Sequence, residues 1–278
     1  MNYINYNGSV VEESRVKLSM SNRAFRYGDS LFETIRIIDG IPVNLKGHFD
    51  RLSFGINTLQ YSAPFSMNEL SFQITELALQ NSIIDGRVRV TLYRKGKGTY
   101  TPEINKVSYM IEMEALSHSG FRLNEKGISL GIYEEVRKPT FVLSNLKTGN
   151  ALCYVLAGVY SSKNGFDDCL LLNDEGNIVE AISSNIFLIK NEVLYTPSAS
   201  EGCVLGTMRK AVLQLGITLF KNVKETSLGL EDLKEADEVF LTNAITGMIW
   251  VDNCRDTKYN FNSIKLIFGK LEESITGI

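Results

Sequence analysis

Between Ser9 and Val43, β-branched and apolar residues alternate with polar ones, as in Val10-Val11-Glu12-Glu13-Ser14 and Leu31-Phe32-Glu33-Thr34-Ile35-Arg36-Ile37-Ile38. A period of two turns one face of an extended chain to a core and the other to water, so the stretch predicts antiparallel strands, with Asp39-Gly40 as a hairpin turn. The period then changes. Leu45, Phe49, Leu52, Ile56 and Leu59 recur at helical spacing, and Leu70, Ile74, Leu77 and Ala78 predict a second helix. Arg87 to Arg94 and Lys106 to Glu114 return to strand patterning. Strands, two helices and more strands make an α+β domain over residues 1–115.

Ala115-Leu116-Ser117-His118-Ser119-Gly120 is small and polar, and predicts a linker over residues 116–123. Over 124–278, strand patterns at Ile128–Glu134, Cys169–Asn173, Ile186–Ile189, Val193–Thr196, Glu238–Thr242 and Met248–Val251 alternate with helical ones near Ala151–Ser161, Thr207–Leu215 and Leu230–Glu235. This second domain is of α/β type, with no internal repeat and no low-complexity segment.

Composition agrees with two folded domains: 278 residues, 44% hydrophobic and 22% charged. The formal net charge is −3 with acids and bases interspersed, so no basic face is set aside for nucleic acid or anionic lipid. The N-terminus has no basic leader with an apolar run, and no stretch approaches the roughly 18 apolar residues of a membrane span, so a cytoplasmic protein is expected. Cys153, Cys169, Cys203 and Cys254 are far apart, without C-x-x-C spacing, and read as buried free thiols. With only His48 and His118 as imidazoles, a Ser-His-Asp or multi-histidine metal mechanism has few parts, and no metal site is expected.

Lysine chemistry has better material. Lys147 lies in Asn145-Leu146-Lys147-Thr148-Gly149-Asn150, and Glu180 opens Glu180-Ala181-Ile182-Ser183-Ser184-Asn185-Ile186-Phe187. A lysine and an acid suit an aldehyde cofactor: the amine forms an imine, and the carboxylate keeps a pyridine nitrogen protonated so that the ring draws electrons from a substrate carbanion. That is the chemistry of pyridoxal 5′-phosphate. Either residue alone is ordinarily a solvated surface group. Three further blocks accompany them in fixed order: Asn22-Arg23-Ala24-Phe25-Arg26-Tyr27-Gly28-Asp29-Ser30-Leu31-Phe32-Glu33-Thr34-Ile35-Arg36, His48-Phe49-Asp50-Arg51-Leu52, and Leu205-Gly206-Thr207-Met208-Arg209.

Together the five blocks resemble the class IV aminotransferases, the fold-type IV group of pyridoxal-phosphate enzymes that includes branched-chain and D-amino acid aminotransferases and aminodeoxychorismate lyase. The resemblance runs from about Ser21 to Val251 and implies a D-amino acid aminotransferase-like fold. It implies that Lys147 is the Schiff-base lysine and proton shuttle, that Glu180 pairs with the pyridine nitrogen, and that Ser183, Ser184 and Asn185 support the cofactor. Arg51 is then a phosphate anchor, a role suited to a planar guanidinium, although a helix arginine is ordinarily only the polar face of its helix. Gly206, Thr207 and Met208 open a helix whose N-terminal N–H groups suit the same phosphate, although Gly206 also suits a plain turn.

Within the group, branched-chain enzymes place a tyrosine five residues beyond the lysine; this chain has Leu152. Asn150 is similar to the D-amino acid aminotransferase and lyase pattern. Thr34 stands where the lyases carry a threonine that assists proton transfer, and where branched-chain enzymes have glycine. Leu241-Thr242-Asn243-Ala244-Ile245 resembles the lyases' C-N-A-L, which brings Asn243 and Ala244 to the substrate. The lyases' second arginine after the R-G-S-G-G turn is missing from Arg94-Lys95-Gly96-Lys97-Gly98-Thr99-Tyr100, where Lys97 suits a substitute point charge for a substrate carboxylate, although an exposed lysine in a Gly-rich hairpin is ordinarily a solubilising charge. The resemblance thus implies a 4-amino-4-deoxychorismate lyase that forms 4-aminobenzoate and pyruvate, with a branched-chain or D-amino acid aminotransferase as the alternative. It also implies a homodimer acting on a small amine or amino acid.

Overall fold

The computed structural model describes the backbone of residues 2–276 and the side chains of residues 2–274. Two compact units divide the chain: Met1–Gly120 with Leu146–Asn150, and Phe121–Asn145 with Ala151–Ile278.

In the first unit, β1 (Tyr3–Tyr6), β2 (Ser9–Glu12), α1 (Arg23–Tyr27), β3 (Ser30–Ile38), β4 (Ile41–Pro42), α2 (Leu45–Thr58), α3 (Met67–Asn81), β5 (Gly86–Arg94) and β6 (Val107–Ala115) follow in order. The strands form an antiparallel sheet in the order β2-β1-β6-β5-β3-β4. The alternation of β3 is real: Leu31, Glu33, Ile35 and Ile37 are buried on one face, while Phe32 and Thr34 are half-buried on the other. Asp39 and Gly40 both have positive φ, at 50° and 77°, as a two-residue hairpin turn of type I′ requires. Helix α2 lies close on β3, since a Cβ at Gly55 would sit 2.9 Å from Leu31. Helix α3 starts with a reciprocal capping box, in which the Glu69 N–H donates to Ser66 Oγ and the Ser66 N–H to the Glu69 carboxylate. Its Leu70, Ile74 and Leu77 are buried, as are Val88, Val90, Leu92 and Ile111 of the sheet.

The second unit contains β7 (Ile128–Lys138), α4 (Leu152–Asn164), β8 (Asp168–Asn173), β9 (Ile178–Ala181), β10 (Asn185–Lys190), β11 (Val193–Pro197), α5 (Thr207–Leu219), β12 (Asn222–Thr226), α6 (Leu230–Lys234), β13 (Glu238–Asn243), β14 (Gly247–Cys254), β15 (Thr257–Lys258) and α7 (Asn262–Thr276). The mixed sheet runs β12-β11-β10-β13-β14-β7-β8-β9, with β15 on β14. β7 is parallel to β8 and to β14, and β11 is parallel to β12. Phe187 and Phe240 face each other across β10 and β13 and stack at 5.0 Å. Helix α7 buries Ile264, Ile267 and Leu271, and its first turn donates N–H groups of Ser263 and Ile264 to the Glu238 carboxylate. Among the described residues no helix is long and apolar enough to cross a membrane.

Six elements go beyond the pattern reading: β1, α1, β9, β12, β15 and α7. Helix α1 interrupts the stretch read as strand between Ser9 and Val43. Five residues are too few to display a helical period, and its start is set by the Asn22 side chain, which accepts from the N–H groups of Ala24 and Phe25. Leu146–Asn150 groups with the first unit because it adds an edge to β3: Leu31 bridges Thr148, and the Phe32 N–H donates to the Lys147 carbonyl at 2.9 Å.

Candidate active site

The first unit carries Lys147. Its backbone is fixed by the Phe32 hydrogen bond and, two residues on, by the Gly149 N–H donating to Ser30 O at 3.0 Å. A Cβ at Gly149 would collide with Ser30 Oγ, so this approach requires glycine. The half-buried Lys147 side chain places Nζ 4.4 Å from the centroid of the Phe32 ring. Thr34 stands two residues along β3 from Phe32, on the same face. Lysine, aromatic ring and threonine hydroxyl are thus set by one strand and the segment bridged to it.

Arg51 sits on α2 and forks onto Glu33, with Nε to Oε1 and Nη2 to Oε2 both at 2.7 Å. His48, one turn before it, places Nδ1 2.7 Å from Glu33 Oε2. Glu33 is 1% exposed. Burial alone pushes its pKa up, but the charge and hydrogen bonds of Arg51, followed by those of His48, outweigh it and bring the carboxyl down to about 2. The fork fixes the plane of the Arg51 guanidinium. Lys97 is exposed in the hairpin after β5, and its carbonyl, with those of Gly98 and Thr99, faces Nη1 of the buried Arg23. Arg23 is itself paired with Asp29, as is Arg94.

In the second unit Glu180 is 3% exposed at the end of β9. Its Oε1 meets the Lys138 ammonium and accepts the Tyr154 hydroxyl at 2.7 Å, while Oε2 accepts the Val204 N–H at 2.9 Å. Lys138 also donates to Ser144 O at 3.0 Å. Burial and the Glu180 carboxylate push the Tyr154 pKa up, so the phenol stays protonated and is the donor. Neither Lys138 nor Tyr154 is among the residues singled out from sequence. Lys138 ends a strand in the charged run Val136-Arg137-Lys138, and no periodicity signals that it turns inward.

Around the start of α5, Asn185 Nδ2 donates to Val204 O at 2.7 Å, and Asn243 Nδ2 donates to Ser184 Oγ at 3.0 Å. Asn243 Oδ1 accepts from the Ile245 and Thr246 N–H groups and shapes the turn that holds the half-buried Ala244. Gly206 is the N-cap residue of α5; any side chain there would collide with Asn185 Oδ1. Thr207 and Met208 are buried in the first turn. Arg209 turns inward to Pro197 O and Glu225.

These residues suit a pyridoxal phosphate. The N-terminus of a 13-residue helix supplies N–H groups and a favourable dipole for a phosphate, and a side chain at its cap position would fill the approach. On β13, beside Asn243, the Thr242 hydroxyl is 1% exposed and has no hydrogen-bond partner. A buried hydroxyl without a partner is uncommon, and its hydrogen-bonding capacity suits a phosphate oxygen. Glu180 adds a fixed acid in the same unit.

Residues 30–254 match the family model described as amino-transferase class IV. The chain belongs to the amino-transferase class IV family. The "Putative branched-chain-amino-acid aminotransferase" of Methanocaldococcus jannaschii is 32% identical, over 98% of this chain and 94% of its own length. The aminodeoxychorismate lyase of Bacillus subtilis is 27% identical, over 92% of this chain and 88% of its own. Among solved structures, the branched-chain amino acid aminotransferase from Thermobaculum terrenum in its PLP form superposes with a TM-score of 0.88 at 19% identity, covering 99% of this chain and 94% of that one, a likeness of fold. Class IV membership bears out the expected fold class and makes the chain an enzyme of a pyridoxal-phosphate family.

Proposed function

We propose that the protein is a pyridoxal-phosphate-dependent 4-amino-4-deoxychorismate lyase, forming 4-aminobenzoate and pyruvate. The observation that carries this reading is the Thr34 hydroxyl on the Phe32 face of β3, where the ring borders Lys147 Nζ. A hydroxyl beside the proton-moving amine suits an elimination, in which a second proton must be handled as the pyruvyl arm departs. Ala244, in place of a hydroxyl residue, and Leu152, in place of a tyrosine, point the same way.

When bound, the cofactor supplies an electron sink for the carbanion at the substrate carbon. Lys147 holds the cofactor and moves the proton at that carbon. Glu180, fixed by Lys138, Tyr154 and the Val204 N–H, holds the proton at the pyridine nitrogen. Arg51, oriented by Glu33, and the first turn of α5 at Gly206, Thr207 and Met208 hold the phosphate, with Ser184 and Asn185 in support. Lys97, Asn243 and Ala244 belong to the substrate side of this reading. A cytoplasmic homodimer serving folate synthesis completes it; exposed Leu152, Val155, Leu156 and Val159, at helical spacing along α4, suit an apolar contact with a second copy.

One observation favours an aminotransferase instead: the 32% identity to the Methanocaldococcus jannaschii protein spans nearly the whole chain. Incubation with aminodeoxychorismate, and separately with an amino acid panel plus 2-oxoglutarate, separates the two. The lyase reading requires 4-aminobenzoate in the first reaction; its absence, with amino transfer in the second, moves the assignment to the aminotransferase.

A further inference from the structure

Three side chains stand in one row across the sheet of the first unit: Thr34 of β3 is directly opposite Arg89 of β5, and Arg89 is directly opposite Glu112 of β6. Directly opposed residues leave a sheet on the same face, so Glu112 shares the face that carries Thr34 and, one pair along, Phe32. The row ends in a charge pair that is not closed. Arg89 leans towards β3, its guanidinium carbon 4.0 Å from the centroid of the Phe32 ring, the ring that also has Lys147 Nζ at 4.4 Å. Among the described residues Glu112 makes no hydrogen bond and no ion pair within 4.0 Å.

Glu112 is half-buried, and the charges around it are divided. On β5, Arg89 and Arg87 are positive, but Arg87 is taken up by Glu114 at 3.5 Å. Glu114 on β6 itself and Glu13 in the 3-10 turn Glu13–Arg15 are negative, while β1, on the other side of β6, carries no charged residue. Burial pushes the Glu112 carboxyl up, Arg89 pulls it down, and Glu13 and Glu114 add to the rise, so it stays above its ordinary value. Arg89 is thus the main charge that keeps Glu112 ionised. A second anion beside that guanidinium offsets its charge and adds repulsion, and both effects favour the protonated acid.

We propose that Glu112 sets the charge specificity of this face: it takes a proton from solvent when an anionic arm of the substrate arrives, and stays ionised against Arg89 when the arm is uncharged. The proposal rests on the reading that Lys147 is the reacting amine and that the substrate lies over Phe32 and Thr34. With Glu112 ionised, its charge and that of Arg89 cancel, and the face suits an apolar arm. With Glu112 protonated, the guanidinium is unopposed and the face suits an acidic arm, as in aminodeoxychorismate with its two carboxylates. Because the anion binds together with a proton, its affinity rises as the pH falls.

The test uses cofactor-loaded protein and two unreactive probes, glutarate with two carboxylates and pentanoate with one, from about pH 8.5 to about pH 6.5, where the probes' own carboxylates stay ionised. In the wild type the ratio of glutarate to pentanoate affinity rises by up to roughly 10-fold as the pH falls, the scale of one charge–charge interaction across about 10 Å in a protein. Calorimetry in buffers of different ionisation enthalpy finds more proton uptake with glutarate than with pentanoate. Glu112→Gln removes the excess uptake and holds the ratio at the wild type's low-pH value across the range, whereas Glu112→Asp, which keeps the charge, keeps the slope. Cofactor absorbance stays at the wild-type value in both variants. A ratio that is flat with pH in the wild type, or a Glu112→Gln variant that keeps the slope, overturns the proposal and leaves the Lys147 reading standing. Failure of the wild type to form a lysine-linked cofactor overturns the Lys147 reading instead, and the ratio is then read on the cofactor-free protein.

Discussion

Tyr154 donates its hydroxyl to Glu180 Oε1 at 2.7 Å, on the same oxygen that the Lys138 ammonium meets. One buried acid thus has a cation and a phenol on one oxygen and a backbone N–H on the other. The two side chains differ in what their loss leaves behind. Tyr154→Phe removes one hydrogen bond to a charged group and is expected to cost about 1.5–3 kcal/mol of stability. Lys138→Met leaves a buried carboxylate without its cation and is expected to cost more, about 3–5 kcal/mol. Urea unfolding of the cofactor-free proteins checks the order; a Lys138→Met variant as stable as wild type contradicts the pairing.

Glu33 gives a pH dependence with a definite sign. Its carboxyl titrates near 4.5 when unperturbed and near 2 in the fold, so the folded state binds its proton more weakly than the unfolded state. The stabilisation is fully present above about pH 4.5 and is lost as the pH falls from there towards 2. The gap corresponds to about 3 kcal/mol. Glu33→Gln is expected to be less stable than wild type at pH 6, with the difference shrinking as the solution is acidified. A stability difference that stays constant from pH 6 to pH 3 contradicts this account.

Glu33 also illustrates what the sequence made legible. The alternation Leu31, Glu33, Ile35, Ile37 puts it on the buried face of β3, but only α2 lying over that face shows that His48 and Arg51 meet it there. The same holds for Glu180, singled out by its motif, while its partners Lys138 and Tyr154 come from β7 and α4 and carry no local signal. Periodicity found α2, α3 and the long strands because each buries a repeating apolar stripe. It does not reach α1, which is too short to repeat; α7 carries the same kind of helical stripe, Ile264, Ile267 and Leu271, and is legible by the same rule. The roles proposed for Arg51, Gly206 and Thr34 rest on resemblance to a family, since spacing alone does not separate a phosphate anchor from an ordinary helix arginine.

For Arg51, the fork to Glu33 fixes the guanidinium plane before any ligand arrives. Arg51→Ala is expected to weaken cofactor binding by about 1.5–3 kcal/mol, as for loss of a hydrogen bond to a charged group. Absorbance titration of the cofactor-free protein measures it, and unchanged affinity removes Arg51 from the phosphate site.

Thr34→Val keeps the shape of the side chain and deletes its hydroxyl. In a lyase the change is expected to lower turnover of aminodeoxychorismate, by up to roughly 10²–10⁴-fold for a general acid or base, with cofactor binding intact. In an aminotransferase it alters substrate preference only modestly, while Thr34→Gly admits bulkier side chains. Undiminished lyase turnover in Thr34→Val removes the hydroxyl from the mechanism.

The central claim is that Lys147 carries the cofactor. Borohydride reduction of the loaded protein, followed by peptide mass mapping, tests it most directly. The account predicts a pyridoxyl-phosphate adduct on Lys147, which disappears in Lys147→Ala together with the absorption near ~410–430 nm expected of a lysine-linked cofactor. An adduct on another lysine, or one that persists with normal turnover in Lys147→Ala, contradicts it.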